Sequence, residues 1–94
     1  MILASKIHTS GDTRRWTVQY ENWLDNTATI DQITVTSSST TCTVGTPVPK
    51  ILGTDVVFFV VNGNIGETAT FTLTITDSFG NVKKDTIKFT VVAP

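Results

Sequence analysis

A chain of 94 residues suffices for one hydrophobic core and no second module, since such cores are usually built from roughly 100 to 150 residues. Seven basic residues against eight acidic ones leave a net charge of −1; no long-range field gathers phosphates or an anionic surface, and neither nucleic acid nor a membrane is expected as a partner. Charged residues are only 16%, against about 25% in ordinary soluble domains, and Thr and Ser dominate the other polar positions, a composition suited to pleated, half-exposed strand surfaces.

Ile2 to Ile7 reads as a first, edge strand, with His8-Thr9-Ser10-Gly11-Asp12 as the turn behind it. From Thr13 to Tyr20 the pattern alternates, placing Trp16, Val18 and Tyr20 on one face and Arg15, Thr17 and Gln19 on the other. The alternation breaks at Glu21-Asn22-Trp23-Leu24-Asp25-Asn26, where the adjacent apolar pair predicts a single helical turn or tight corner capping one end of a sandwich.

A strand pattern resumes over Thr27 to Thr36 through Ala28, Ile30, Ile33 and Val35, and its phase slips around Asp31-Gln32, as at a β-bulge or a crossing between sheets. Ser37 to Thr41 is a polar, low-complexity stretch, expected to be mobile or an exposed edge. Cys42 and Val44 belong to a short strand leaving, through Gly45-Thr46-Pro47-Val48-Pro49, for an extended connection, because Pro cannot donate into a central ladder.

Val56 to Val61 is six apolar residues in a row. Most sandwich strands have one wet face, so this run predicts either burial on both faces or an outer face that meets another subunit. Val56, Val57, Phe58 and Phe59 are accordingly the candidate protein-interface residues. After the turn Asn62-Gly63-Asn64-Ile65-Gly66 comes the clearest element, a hairpin from Glu67 to Val92. Ala69, Phe71, Leu73 and Ile75 alternate with threonines on one arm, and Ile87, Phe89 and Val91 with Thr86, Lys88 and Thr90 on the other. Asp77-Ser78-Phe79-Gly80-Asn81 forms the tip. The apolar face of this hairpin requires a second sheet to cover it. About seven strands with turn signals every 8 to 12 residues describe an all-β, immunoglobulin-like antiparallel β-sandwich, one domain over residues 1–94.

Little in this sequence carries chemistry. Cys42 is the only cysteine and His8 the only histidine, so no intrachain disulfide and no Cys/His metal set is expected. No serine sits in a nucleophile elbow, and the carboxylates are scattered singly. Asp77, Asn81 and Asp85 lack the dense spacing of a calcium loop and fit turn chemistry better. No catalytic residue, cofactor or metal is predicted, and the protein is read as a non-enzyme. Trp16, Tyr20 and Trp23 are candidates for a sugar-stacking platform, weighed against core and cap packing. Met1 to Lys6 is too short for the apolar core of a signal peptide and no run approaches 18 apolar residues. With Met1 as the start, the protein is expected to fold in the cytoplasm.

Two stretches carry a family resemblance. Tyr20-Glu21-Asn22-Trp23-Leu24 followed by Ala28-Thr29-Ile30, and Asn62 to Thr68 leading into Phe71 to Gly80, resemble the aromatic strand end, Trp-Leu corner and Thr-alternating hairpin of phage-encoded immunoglobulin-like fibre-tail adaptor proteins. The likeness runs from about Arg15 to Val91, with Ser10 to Arg15 standing where that family has an acidic, proline-bearing segment. It implies a virion structural protein, made in the host cytoplasm and linking fibres to tail or neck by docking to other virion proteins, in several symmetric copies. The alternative is a carbohydrate-binding or host-adhesion module using the exposed aromatics.

Overall fold

The computed structural model describes residues 2–25, 27–45 and 48–94, and with them eight strands: β1 (Ile2–Thr9), β2 (Thr13–Gln19), β3 (Ile30–Ser37), β4 (Cys42–Val44), β5 (Lys50–Leu52), β6 (Asp55–Asn62), β7 (Thr68–Asp77) and β8 (Val82–Val92). One sheet runs β1-β8-β7-β3 and the other β2-β6-β4, with β5 sharing the β4 edge of β6. The chain is thus the all-β sandwich that its alternation implies. The strand total exceeds seven because the segment after Val44 returns to β6 as a separate short strand. Among the described residues all pairings are antiparallel but one: β1 lies parallel to β8.

The hairpin β7–β8 supplies half of the core. Ala69, Phe71, Leu73, Ile75, Phe89 and Val91 are essentially fully buried, facing Val56, Phe58 and Val60 of β6. The aromatic rings join the two layers. Phe58 stacks on Phe71 with centroids 6.1 Å apart, Phe71 meets Phe89 edge-on at 5.1 Å, and Phe89 meets Trp16 of β2 at 5.2 Å. Such offset and edge-to-face pairs add about 0.5–1.5 kcal/mol each beyond area burial.

The Trp23-Leu24 corner is one helical turn, in which the N–H groups of Trp23 and Leu24 both donate to the Tyr20 carbonyl. Register slips between Ile30 and Gln32, so the phase slip in the sequence is a β-bulge at the entry to β3. That strand begins at Ile30 rather than Thr27. At the hairpin tip Gly80 takes φ +85° and the Asp77 carboxylate accepts from the N–H groups of Phe79 and Asn81.

One expectation is corrected. His8 is not in a turn: β1 continues to Thr9 because its ladder with β8 runs on to Val92, and the imidazole is buried edge-on to Phe89. Of its two expectations, Ser37 to Thr41 is the exposed edge: Ser37 ends β3, the outermost strand of its sheet, and Ser38, Thr40 and Thr41 are exposed. Ser37 Oγ donates to the Cys42 carbonyl, Ser38 Oγ accepts from Thr70 N–H, and Ser39 Oγ accepts from the N–H groups of Thr41 and Cys42 while donating to Glu67. Hydroxyls spaced this way give the backbone local partners that a regular ladder would otherwise provide. Of the extended connection after Val44, Thr46 and Pro47 lie outside the described residues.

Candidate interaction surface

Strand alternation divides the apolar run of β6 in two. Val56, Phe58 and Val60 point inward with no exposed surface, so Val56 and Phe58 are core residues of this subunit and present nothing to a partner. Val57, Phe59 and Val61 point outward, half-buried at Phe59 and Val61, and 7% exposed at Val57. Register places Arg15 beside Phe59, Thr17 beside Val57, and Lys50 across Val57 from Thr17. Arg15, Lys50, Leu52, Val57 and Phe59 line a shallow depression of about 270 Å³ on this outer face.

Gly45 keeps one flank of that depression low. Its N–H donates to the Phe59 carbonyl, and a Cβ there would stand 2.2 Å from Val61 Cγ2 and 3.3 Å from Phe59 Cβ. Only a residue without a side chain lets the chain pass this close to the stripe. Leu52, 51% exposed, extends the apolar surface on the β5 side.

Of the three aromatics weighed as a sugar platform, Tyr20 and Trp23 pack together and Trp16 stands apart against Phe89. Tyr20 is 3% exposed and packs edge-on to Trp23 at 6.4 Å, so it offers no face to a ligand. Trp23 is half-buried in the corner. Trp16 is half-buried between the sheets, edge-on to Phe89, with the Lys6 ammonium 5.9 Å and the Arg14 guanidinium 5.2 Å from its ring centroid. Cations so placed are attracted by the ring quadrupole.

Among the described residues no cluster of three or more His, Cys, Asp or Glu side chains is arranged to hold a metal ion. Asp77 and Asn81 bond each other, Asn81 Nδ2 to Asp77 Oδ2 at 3.0 Å, as a turn. Burial works to raise the Asp77 carboxyl, but the Asn81 side chain and the backbone N–H groups of the tip outweigh it and hold it below the ordinary range. Asp85, a lone carboxylate in the sequence, is fully buried beside Tyr20 and paired with Lys83 at 3.4 Å. Its phase was the available clue, since it alternates in register with Ile87, Phe89 and Val91.

Fold and surface define a small β-sandwich subunit with an apolar stripe on one outer face. A family model described as podophage GP4 fiber-tail adaptor protein gp77 matches residues 8–90, and the chain belongs to that family. Membership gives it the structural role of a phage fibre-tail adaptor. No curated protein matches the sequence. Among solved structures, the 2,6-sialyltransferase of Photobacterium sp. JT-ISH-224 matches with a TM-score of 0.57 at 11% identity, over 100% of this chain and 18% of that one. This chain therefore spans about a fifth of that enzyme's length, and the likeness is one of fold alone.

Proposed function

We propose that the protein joins fibres to the tail or neck by shape-complementary docking through the outer face of β6, in several symmetric copies, after synthesis in the host cytoplasm. The observation that carries this reading is the stripe of Val57, Phe59 and Val61, flanked by Arg15 and Lys50 and extended by Leu52. Apolar side chains rimmed by cations on an otherwise Thr-rich sheet are what a specific contact uses: an anchor that excludes water and charges that set register. The role is structural and requires no catalytic group.

The test is incorporation. Phage carrying Phe59→Asp should yield particles lacking the protein, while the isolated variant keeps the sandwich's circular dichroism and a cooperative melt. Phe59→Thr, which puts a β-branched residue of good strand propensity in its place, guards against a folding defect and should weaken incorporation in the same direction. Normal incorporation of both variants would remove this face from the contact.

A further inference from the structure

A second surface lies around the edge from Phe59, where the two sheets part. β1 ends one sheet and β2 the other. Between them runs a groove of about 380 Å³, floored by Ala4, Trp16, Val18 and Ile87 and crossed by Lys6. The register with β8 sets Ala4, Lys6 and His8 on the core side of β1. At this seam the core layer thus holds one methyl group and one charged side chain where a closed sandwich would carry large apolar residues.

β2 also has a free row of backbone groups. Asn62 N–H donates to the Asp12 carbonyl and Tyr20 N–H to the Thr54 carbonyl, either side of an unbroken antiparallel register. Hydrogen-bonded pairs alternate in such a ladder, so Arg14, Trp16 and Val18 bond to β6 while Thr13, Arg15, Thr17 and Gln19 aim their N–H and C=O groups away from it. An exposed row of this kind is a template for one more strand.

Charge selects which strand. Lys6 and Arg14 both stand on the core side of their strands, both emerge over Trp16, and the one ion pair among the described residues is Lys83–Asp85. A second copy of β2 would bring the same Arg14-Arg15 pair to the seam, like charge against like. A segment bearing carboxylates is the complementary one.

We propose that the β1/β2 seam is a strand-acceptor site: an extended segment of a partner protein adds to the free edge of β2, seating apolar side chains against Val18 and Ala4 and a carboxylate, two to four residues along, against Arg14 and Lys6. The site is independent of the stripe on β6 and gives the subunit a second attachment point.

The probe is the blocked octapeptide Thr-Val-Thr-Asp-Thr-Val-Thr-Asp, titrated into the full chain in a Trp23→Phe background so that emission reports Trp16. A saturable emission shift is expected. It should be absent with the same peptide carrying Lys for Asp, weakened about tenfold by Arg14→Glu, and lost in Thr17→Pro, which deletes a free-edge N–H without touching the β6 ladder. Should Thr17→Pro fail to fold, Arg14→Glu and the Lys peptide still decide. No saturable shift, or an equal response to both peptides, overturns the proposal. So does a shift with glucose and none with the peptide, which would make Trp16 a sugar contact. Dimerisation of the chain alone that Thr17→Pro abolishes would do the same, making the occupant a second copy.

Discussion

The fully buried carboxylate of Asp85 faces the phenol of Tyr20 at one end of the sandwich core. Burial, and then the charge of Asp85, push the Tyr20 hydroxyl above its ordinary ionisation range. The two groups lie side by side in one apolar layer with no hydrogen bond to either in the geometry observed, and Lys83 adds a cation to Asp85 from the rim at 3.4 Å. Asp85→Leu alone should destabilise by about 1–3 kcal/mol, because the phenol loses the only polar group beside it and Lys83 loses its anion. Adding Tyr20→Phe should recover most of that loss. A double-mutant cycle in urea reads the coupling, and additive losses would show that the pair does not interact.

Glu67 binds the serine-rich turn to the start of β7. Its carboxylate accepts from the hydroxyls of Ser39 and Thr41 and from Asn64 N–H, and these bonds, Ser39 first, hold it below its ordinary value of 4.5. A depressed carboxyl contributes stability that is present above 4.5 and lost as pH falls through the lower, folded value. Glu67→Gln should therefore lower the melting temperature at pH 7 and converge on the parent protein in acid. Asp77, shifted in the same direction, leaves a residual acid loss in both. A constant gap between the two melting curves across pH would contradict the assignment to Glu67.

Gly63 turns the chain between β6 and β7 at φ +120°, where a Cβ would stand 2.7 Å from Val91 Cγ2 and 3.3 Å from Cys42 Cβ. Gly63→Ala combines backbone strain with a clash in the core layer and should cost about 1–3 kcal/mol. Gly80→Ala at the tip meets nothing within 4 Å and carries only the strain, so it should cost less. Chemical denaturation of the two variants side by side gives the comparison.

Adjacent phenylalanines on β6 should separate stability from assembly. Phe58→Ala opens a cavity among Phe71 and the β7 side chains and should cost about 3–5 kcal/mol. Phe59→Thr should cost far less, since that ring is half outside the subunit. Equal losses would mean that Phe59 is held as tightly as the core.

These positions also show what the sequence made legible. Period-two alternation in the hairpin, the phase slip at Asp31-Gln32 and the Trp-Leu corner are local signals, and each has its counterpart in the fold. The Glu67 cradle brings Ser39 and Thr41 to a carboxylate 28 and 26 residues away, a pairing no local pattern encodes. A continuous apolar run conceals which members face in, because composition is the same on both faces; only pairing with β2 sets Phe58 in and Phe59 out. His8 looked like turn chemistry because the polar residues after it resemble a loop. The ladder to β8 overrode that preference.

The most direct test of the adaptor role is to label purified phage particles with an antibody against this protein and image them. Label confined to the tail, neck or fibre bases is the result this account predicts. Intact particles without label, with the protein found only in the infected cell or free in the medium, would contradict it.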